Sequence, residues 1–176
     1  MRVVAGSAKG RRLAAPAGRA TRPTGDRVRE ATFNALGSLG VVQDAEVLDA
    51  FAGSGALGIE ALSRGARHAT FVDRDPKAIS VVQGNVETIG FGDVATILRR
   101  DVARFLADEP RRFDLAFLDP PYATTDEEWS ALLTALDATT LVIETNRDID
   151  LPEGLSLHRR GRYGDTVVTI AGREPR

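Results

Sequence analysis

Apolar and polar positions change period along this chain, and the changes divide it into strands and helices. Residues 47–50, 69–72, 94–98 and 115–118 are short, nearly unbroken apolar runs, the pattern of strands covered on both faces. Between them, residues 57–62, the set Ile79, Val82 and Val86, and residues 102–107 predict helices, with Asp75-Pro76 as an N-cap followed by a first-turn proline. Trp129, Leu132, Leu133 and Leu136 recur at i, i+3, i+4 and i+7 and predict one more helix. That stripe gives Trp129 a core role, and Glu127 and Glu128 stand where acids favour a helix start. Residues 141–143, 155–158 and 167–170 are further strands, the last two close enough to form an antiparallel pair. At the start, residues 2–5 and 11–15, joined by a Gly-Ser-Ala-Lys-Gly turn, predict a small hairpin with its arginines outward. Residues 16–24 are a Gly- and Pro-containing connection. From Asp26, the spacing of Val28, Thr32, Leu36 and Leu39, with Phe33 beside them, predicts a helix that ends between Gly37 and Gly40. Strand alternating with helix through short connections implies an α/β sheet of parallel pairs with helices on both faces.

A length of 176 residues gives a prior of about one domain, at roughly 150 residues per domain. The absence of cysteine excludes a thiolate nucleophile, a disulfide framework and an iron–sulfur cluster. His68 and His158 are too isolated to be bases or ligands, and no metal site is expected. No apolar run is long enough to span a membrane and the first twelve residues lack the apolar core of a signal peptide, so a soluble, cytoplasmic protein is expected. The net charge of −2 conceals a division. Residues 1–30 carry eight basic groups against two acidic ones; residues 31–154 carry ten against twenty-one; residues 155–176 are again basic. Basic ends around an acidic middle suit either a polyanion such as nucleic acid or plain solvated arms. In the last segment, Tyr163 beside Arg159, Arg160 and Arg162 suits a strand turn better than an RNA contact.

Gly53, Gly55 and Gly58 lie where the first apolar strand gives way to a helix, and they match G-x-G-x-x-G. Such glycines allow a tight turn and close approach of a ligand, and the same spacing also serves a bare strand-to-helix turn. Asp49 stands at the end of that strand. A carboxylate there would repel the pyrophosphate of a dinucleotide, whereas it suits the sulfonium and ammonium of S-adenosylmethionine. Asp73 closes the second strand and is placed to accept from ribose hydroxyls. The orientation of Arg74, between Asp73 and Asp75, is open.

The fourth strand runs into Asp119-Pro120-Pro121-Tyr122, at the strand end where open α/β sheets bind ligands. Two prolines fix the backbone and present carbonyl oxygens rigidly. A carboxylate beside a rigid carbonyl makes two acceptors, matched to the two N–H donors of an exocyclic amino group on a base. Such a nitrogen is a weak nucleophile until two acceptors draw it toward tetrahedral geometry. Tyr122 offers a ring on which a splayed-out base can stack.

Together, the glycine turn and the Asp-Pro-Pro-Tyr turn resemble those of class I S-adenosylmethionine-dependent amino-methyltransferases. Residues 22–34, beginning Arg22-Pro23-Thr24-Gly25-Asp26-Arg27, and residues 53–66 are similar to one branch, the RsmD family of ribosomal RNA guanine-N2 methyltransferases. The resemblance covers most of the chain. It implies a Rossmann-like seven-stranded, mostly parallel sheet with an antiparallel last strand, preceded by a short N-terminal hairpin. It divides the chain into an RNA-binding extension, residues 1–24, and a methyltransferase domain, residues 25–176. The implied cofactor contacts are Asp49, Phe51, Gly53, Gly55, Asp73, Asp101 and Val102, with Asp101 at the adenine and Asp73 at the ribose. Asp119, Pro120, Pro121 and Tyr122 would hold the guanine, which in the family's 16S RNA numbering is guanine 966. Lys9, Arg11, Arg12, Arg19, Arg22 and Thr24 would contact the RNA. The partner implied is 16S rRNA, within the small subunit or an assembly intermediate, and the enzyme is expected to act as a monomer without a metal. The alternatives are an adenine-N6 methyltransferase on RNA or DNA, a small NAD-dependent oxidoreductase, and a non-catalytic RNA-binding module.

Overall fold

The computed structural model describes residues 1–15, 23–108 and 110–173. The apolar runs form β1 (Glu46–Ala50), β2 (His68–Asp73), β3 (Ala95–Arg99), β4 (Phe113–Leu118) and β5 (Ala138–Thr145), followed by β6 (Leu155–Tyr163) and β7 (Thr166–Arg173). The helices are α1 (Pro23–Leu39), α2 (Ala56–Ser63), α3 (Pro76–Ile89), α4 (Val102–Asp108) and α5 (Asp126–Ala135). One seven-stranded sheet has the order β3-β2-β1-β4-β5-β7-β6. β1 to β5 run parallel, and β7 is antiparallel to both β5 and β6. The expected α/β sheet with an antiparallel last strand is therefore what the chain forms. Connections leave β1 toward β2 on one side, while β4 lies on its other side. The order thus reverses at β1 and β4, and a crevice opens at their carboxyl ends.

Alternation along each strand feeds two cores. Val47, Phe71, Leu115, Phe117 and Val142 face a layer that holds Phe33 and Leu36 of α1, Ile59 of α2 and Val82 of α3. Leu48, Val72, Ala116, Leu118 and Ile143 face the other, with Phe105 of α4 and Trp129 and Leu133 of α5. The rings of Phe33 and Phe117 lie 5.4 Å apart, so α1 is seated on β4. Trp129 is buried in its stripe as expected. Asp75 caps α3, its carboxylate accepting from the Lys77 N–H, with Pro76 at the first helical position.

The N-terminal segment forms a narrow hairpin held by an antiparallel bridge between Arg2 and Arg12. Its arginines and Lys9 face outward, while Val3, Ala8 and Leu13 enter the first core. The fully buried Glu60 of α2 accepts from the N–H groups of Val4 (2.7 Å) and Ala5 (3.0 Å), and pairs with Arg64 at 2.8 Å. The hairpin is thus fixed to α2 by a side chain distant in sequence.

Two elements differ from the sequence pattern. α1 starts at Pro23 rather than Asp26, since proline's fixed φ suits a first helical turn. β6 continues through Arg159–Arg162 to Tyr163, although these side chains are mostly exposed. It is an edge strand paired only with β7, and a register irregularity between Leu157 and Arg159 breaks its alternation. Tyr163 ends the strand, consistent with a turn role. Arg160 and Arg162 face Asp148, at 3.9 and 3.6 Å.

Candidate active site

After β1, the chain turns sharply through left-handed backbone at Phe51 (φ +65°), Gly53 (φ +58°) and Gly55 (φ +75°) before entering α2. Phe51 is not glycine, so the turn holds local strain of the kind that clusters at functional sites. The Phe51 and Ala52 N–H groups donate to the Val72 carbonyl at 3.0 and 3.1 Å, tying the turn to β2. Gly58 has a different reason: a Cβ there would lie 2.3 Å from Cε1 of Phe71, so only glycine lets α2 sit this close to β2. The three glycines of the motif therefore serve turning and close packing together.

Two carboxylates take up the N–H groups of this region. Asp73 accepts from the Gly53 N–H through Oδ2 and from the Asp75 N–H through Oδ1, both at 2.9 Å. Asp49 accepts from the Gly58 N–H at 2.8 Å, in the first turn of α2. Asp49 is 2% exposed, and burial pushes its pKa up to about 7; the Gly58 hydrogen bond opposes the rise and the charge of Asp73 adds to it.

A cleft of ≈ 680 Å³ opens at the carboxyl ends of the strands. Phe51, Gly53, Asp73, Asp101, Val102 and Asp119 all line it, with Leu106 of α4 and Leu132 of α5 among its apolar walls. Arg74, exposed, stands at the edge of the same cleft. Asp101 also caps α4, its Oδ1 accepting from the Arg104 N–H at 3.1 Å.

Beyond β4, the Pro121 carbonyl accepts from both the N–H (2.9 Å) and the hydroxyl (2.7 Å) of Thr124. That tight turn engages the Pro121 carbonyl on the side of Thr124, directly after Asp119 and the buried Pro120. Tyr122 is 41% exposed. Arg147, after β5, donates to the Thr124 carbonyl at 2.9 Å and pairs with Asp126 at 2.8 Å, bracing the same turn.

Seven of the residues singled out from sequence thus share one cleft: Phe51, Gly53, Asp73, Asp101, Val102, Asp119 and Pro121. Asp49 is buried behind the glycine turn, Gly55 is part of that turn, and neither they nor Pro120 and Tyr122 line the cleft. Lys9, Arg11 and Arg12 are exposed on the hairpin. Arg19 and Arg22 lie outside the described residues, and Thr24 is placed only by its backbone in the first turn of α1. Sequence reading placed Glu128 at a helix start but not at the cleft, and did not single out Arg147. Glu128 lines the cleft while completing a capping box with Thr125, a Thr-x-x-Glu signal that was legible. Glu144 was also missed: it stands near the carboxyl end of β5, where burial raises its pKa. His158 is exposed, and His68 makes a 3.2 Å contact with the Thr96 hydroxyl; neither reaches the cleft.

Comparison with known proteins follows the same outline. The family described as Conserved hypothetical protein 95 matches residues 1–172. The YlbH protein of Bacillus subtilis (strain 168) is 44% identical, covering 97% of this chain and 97% of its own. Ribosomal RNA small subunit methyltransferase D of Escherichia coli (strain K12) is 34% identical, covering 99% of this chain and 90% of its own. The solved structure of yhhF from Escherichia coli superimposes with a TM-score of 0.86 at 34% identity, covering 100% of this chain and 99% of that one.

Proposed function

The chain belongs to the family described as Conserved hypothetical protein 95, and from that premise we propose that it is an S-adenosylmethionine-dependent methyltransferase acting on the exocyclic N2 of a guanine in 16S ribosomal RNA, guanine 966 in the family's numbering. Relatives named as small-subunit ribosomal RNA methyltransferases support the substrate class.

The observation that carries the choice of cofactor is the fate of the backbone donors at the glycine turn. In a dinucleotide site these N–H groups and the helix N-terminus face a pyrophosphate. Here the Gly53 N–H is engaged by Asp73 and the Gly58 N–H by Asp49. Acids thus stand where a phosphate would need donors, which disfavours NAD and suits a ligand with a positively charged sulfur. Each Asp73 oxygen retains a lone pair for a ribose hydroxyl. Asp101 at the far side of the cleft suits the adenine amino group, beside the apolar side chains of Val102 and Leu106. Bound S-adenosylmethionine would supply an electrophilic methyl group.

The protein's part is positioning and proton management. Asp119 and a backbone carbonyl of the Asp-Pro-Pro-Tyr turn accept the two amino hydrogens, holding the nitrogen with its lone pair aimed into the cleft. Tyr122 stacks on the base from the solvent side. As the nitrogen–methyl bond forms and the sulfur–methyl bond breaks, the nitrogen becomes acidic and its proton passes to Asp119 or through it to water. The exposed Lys9, Arg11 and Arg12, with Arg19, Arg22 and Thr24, grip the RNA backbone, making residues 1–24 the RNA-binding extension of a methyltransferase domain over residues 25–176. The two acceptors would also fit the N6 amino group of adenine, and the product nucleoside distinguishes the two. Among the described residues no helix is long and apolar enough to cross a membrane. We place the enzyme in the cytoplasm, working as a monomer on the small subunit or an assembly intermediate. Incubating the Asp119→Ala variant with labelled S-adenosylmethionine and 16S rRNA tests the site. Retained cofactor binding with methylation lost supports it; near-wild-type methylation refutes it.

A further inference from the structure

Asn85, on α3, is 4% exposed and lies outside the cleft. Its amide nitrogen donates to two carbonyls, Ala14 at 3.0 Å and Ser54 at 2.9 Å, and its Oδ1 accepts from the Ala14 N–H at 2.8 Å. Both amide hydrogens are therefore used, one on the hairpin and one on the glycine turn. Ser54 stands between Gly53 and Gly55, both in left-handed backbone, and Gly53 lines the cleft. A second thread runs in parallel: the Ser54 hydroxyl contacts the Met1 sulfur at 3.6 Å, and Arg29 reaches both that sulfur and the Arg2 carbonyl.

We propose that Asn85 is a positioning residue that couples the N-terminal hairpin to the glycine turn, so that cofactor binding firms the hairpin and a docked hairpin firms the cofactor site. This rests on the reading of the turn as the cofactor site and the hairpin as the RNA contact. A ligand against Gly53 restricts the turn and fixes the direction of the Ser54 carbonyl. Asn85 then holds one orientation, in which it also satisfies both backbone groups of Ala14. Ordering that one ligand has already imposed is not imposed again by the second, and the coupling is reciprocal. A break on either side leaves the buried Asn85 amide short of a partner, so the two segments order together.

Hydrogen exchange on the full chain tests this, read at residues 1–15 with and without saturating S-adenosylhomocysteine, while calorimetry confirms binding. In the wild type the ligand slows hairpin exchange by about three- to tenfold, the ratio set by one hydrogen bond's net contribution. Asn85→Ala, and Asn85→Asp, which keeps an acceptor for the Ala14 N–H but not the donor to Ser54, lose that gain while still binding ligand. Arg11→Ala removes a different tether, to the Thr88 carbonyl on the same helix. It speeds exchange in both states and keeps the gain. The inference is overturned if ligand binds the wild type without slowing hairpin exchange, a result that needs no variant to fold, or if Asn85→Ala keeps the gain. Failure of the wild type to bind ligand overturns the functional reading and the inference with it.

Discussion

Asp49→Asn separates what the buried acid does for the cofactor from what it costs the fold. In the native state its carboxyl is 2% exposed, and its pKa rises from 3.8 to about 7, chiefly through burial. Between those values the folded protein binds a proton that the unfolded chain has released, so stability falls as pH rises through that window and levels off above it. At 1.36 kcal/mol per pH unit, ionised Asp49 costs the native state at most about 4 kcal/mol at pH 8. Asparagine keeps an oxygen for the Gly58 N–H, held at 2.8 Å in the wild type, and carries no charge. The variant is therefore expected to be more stable than the wild type at pH 8, by an amount on the order of a few kcal/mol, and nearly equal to it below about pH 4. Urea midpoints at fixed m, taken from pH 4 to 8, measure the difference. Calorimetry measures the other side: affinity for cationic S-adenosylmethionine should fall more than affinity for uncharged-sulfur S-adenosylhomocysteine. A variant less stable than the wild type at pH 8, or a stability difference independent of pH, refutes the reasoning.

Gly58→Ala should lose about 1–3 kcal/mol in denaturant titration, because its Cβ would sit 2.3 Å from the Phe71 ring, and Phe71→Leu in the same chain should recover part of the loss. Lys9→Ala and Arg12→Ala, both outward on the hairpin, should each flatten the dependence of log K on log salt for RNA binding by about 0.7, with S-adenosylhomocysteine affinity unchanged. Tyr122→Ala should weaken RNA binding by about 1–3 kcal/mol, seen as a raised KM for RNA, without altering cofactor affinity.

The sheet was legible because its strands are buried on both faces, so 47–50, 69–72 and 115–118 stand out as apolar runs bounded by Gly, Pro and Asp. β6 was harder to read: beyond residue 158 its pairing is made by backbone on an exposed edge, and side-chain pattern carries no trace of that. The cleft was legible through its acids and prolines, since Asp73, Asp101 and Asp119 close or follow strands whose ends the topology brings together. The hydrogen bonding within it was not. Nothing in the spacing shows that the Gly58 N–H claims Asp49, that Thr124 claims the Pro121 carbonyl, or that Glu60 holds the hairpin from more than fifty residues away. These are tertiary contacts of polar side chains with backbone, and they leave no periodicity. The hairpin shows the consequence: charge alone left its basic residues between a polyanion contact and a solvated arm, and it did not show that Val3, Ala8 and Leu13 seat the hairpin in the core.

Nucleoside mapping of 16S rRNA by mass spectrometry, in cells lacking this protein and in the same cells given it back, tests the central claim most directly. The account predicts that one N2-methylguanosine disappears, returns with the wild-type chain, and stays absent with Asp119→Ala. A full complement of N2-methylguanosine without the protein, or loss of an N6-methyladenosine in its place, would contradict it.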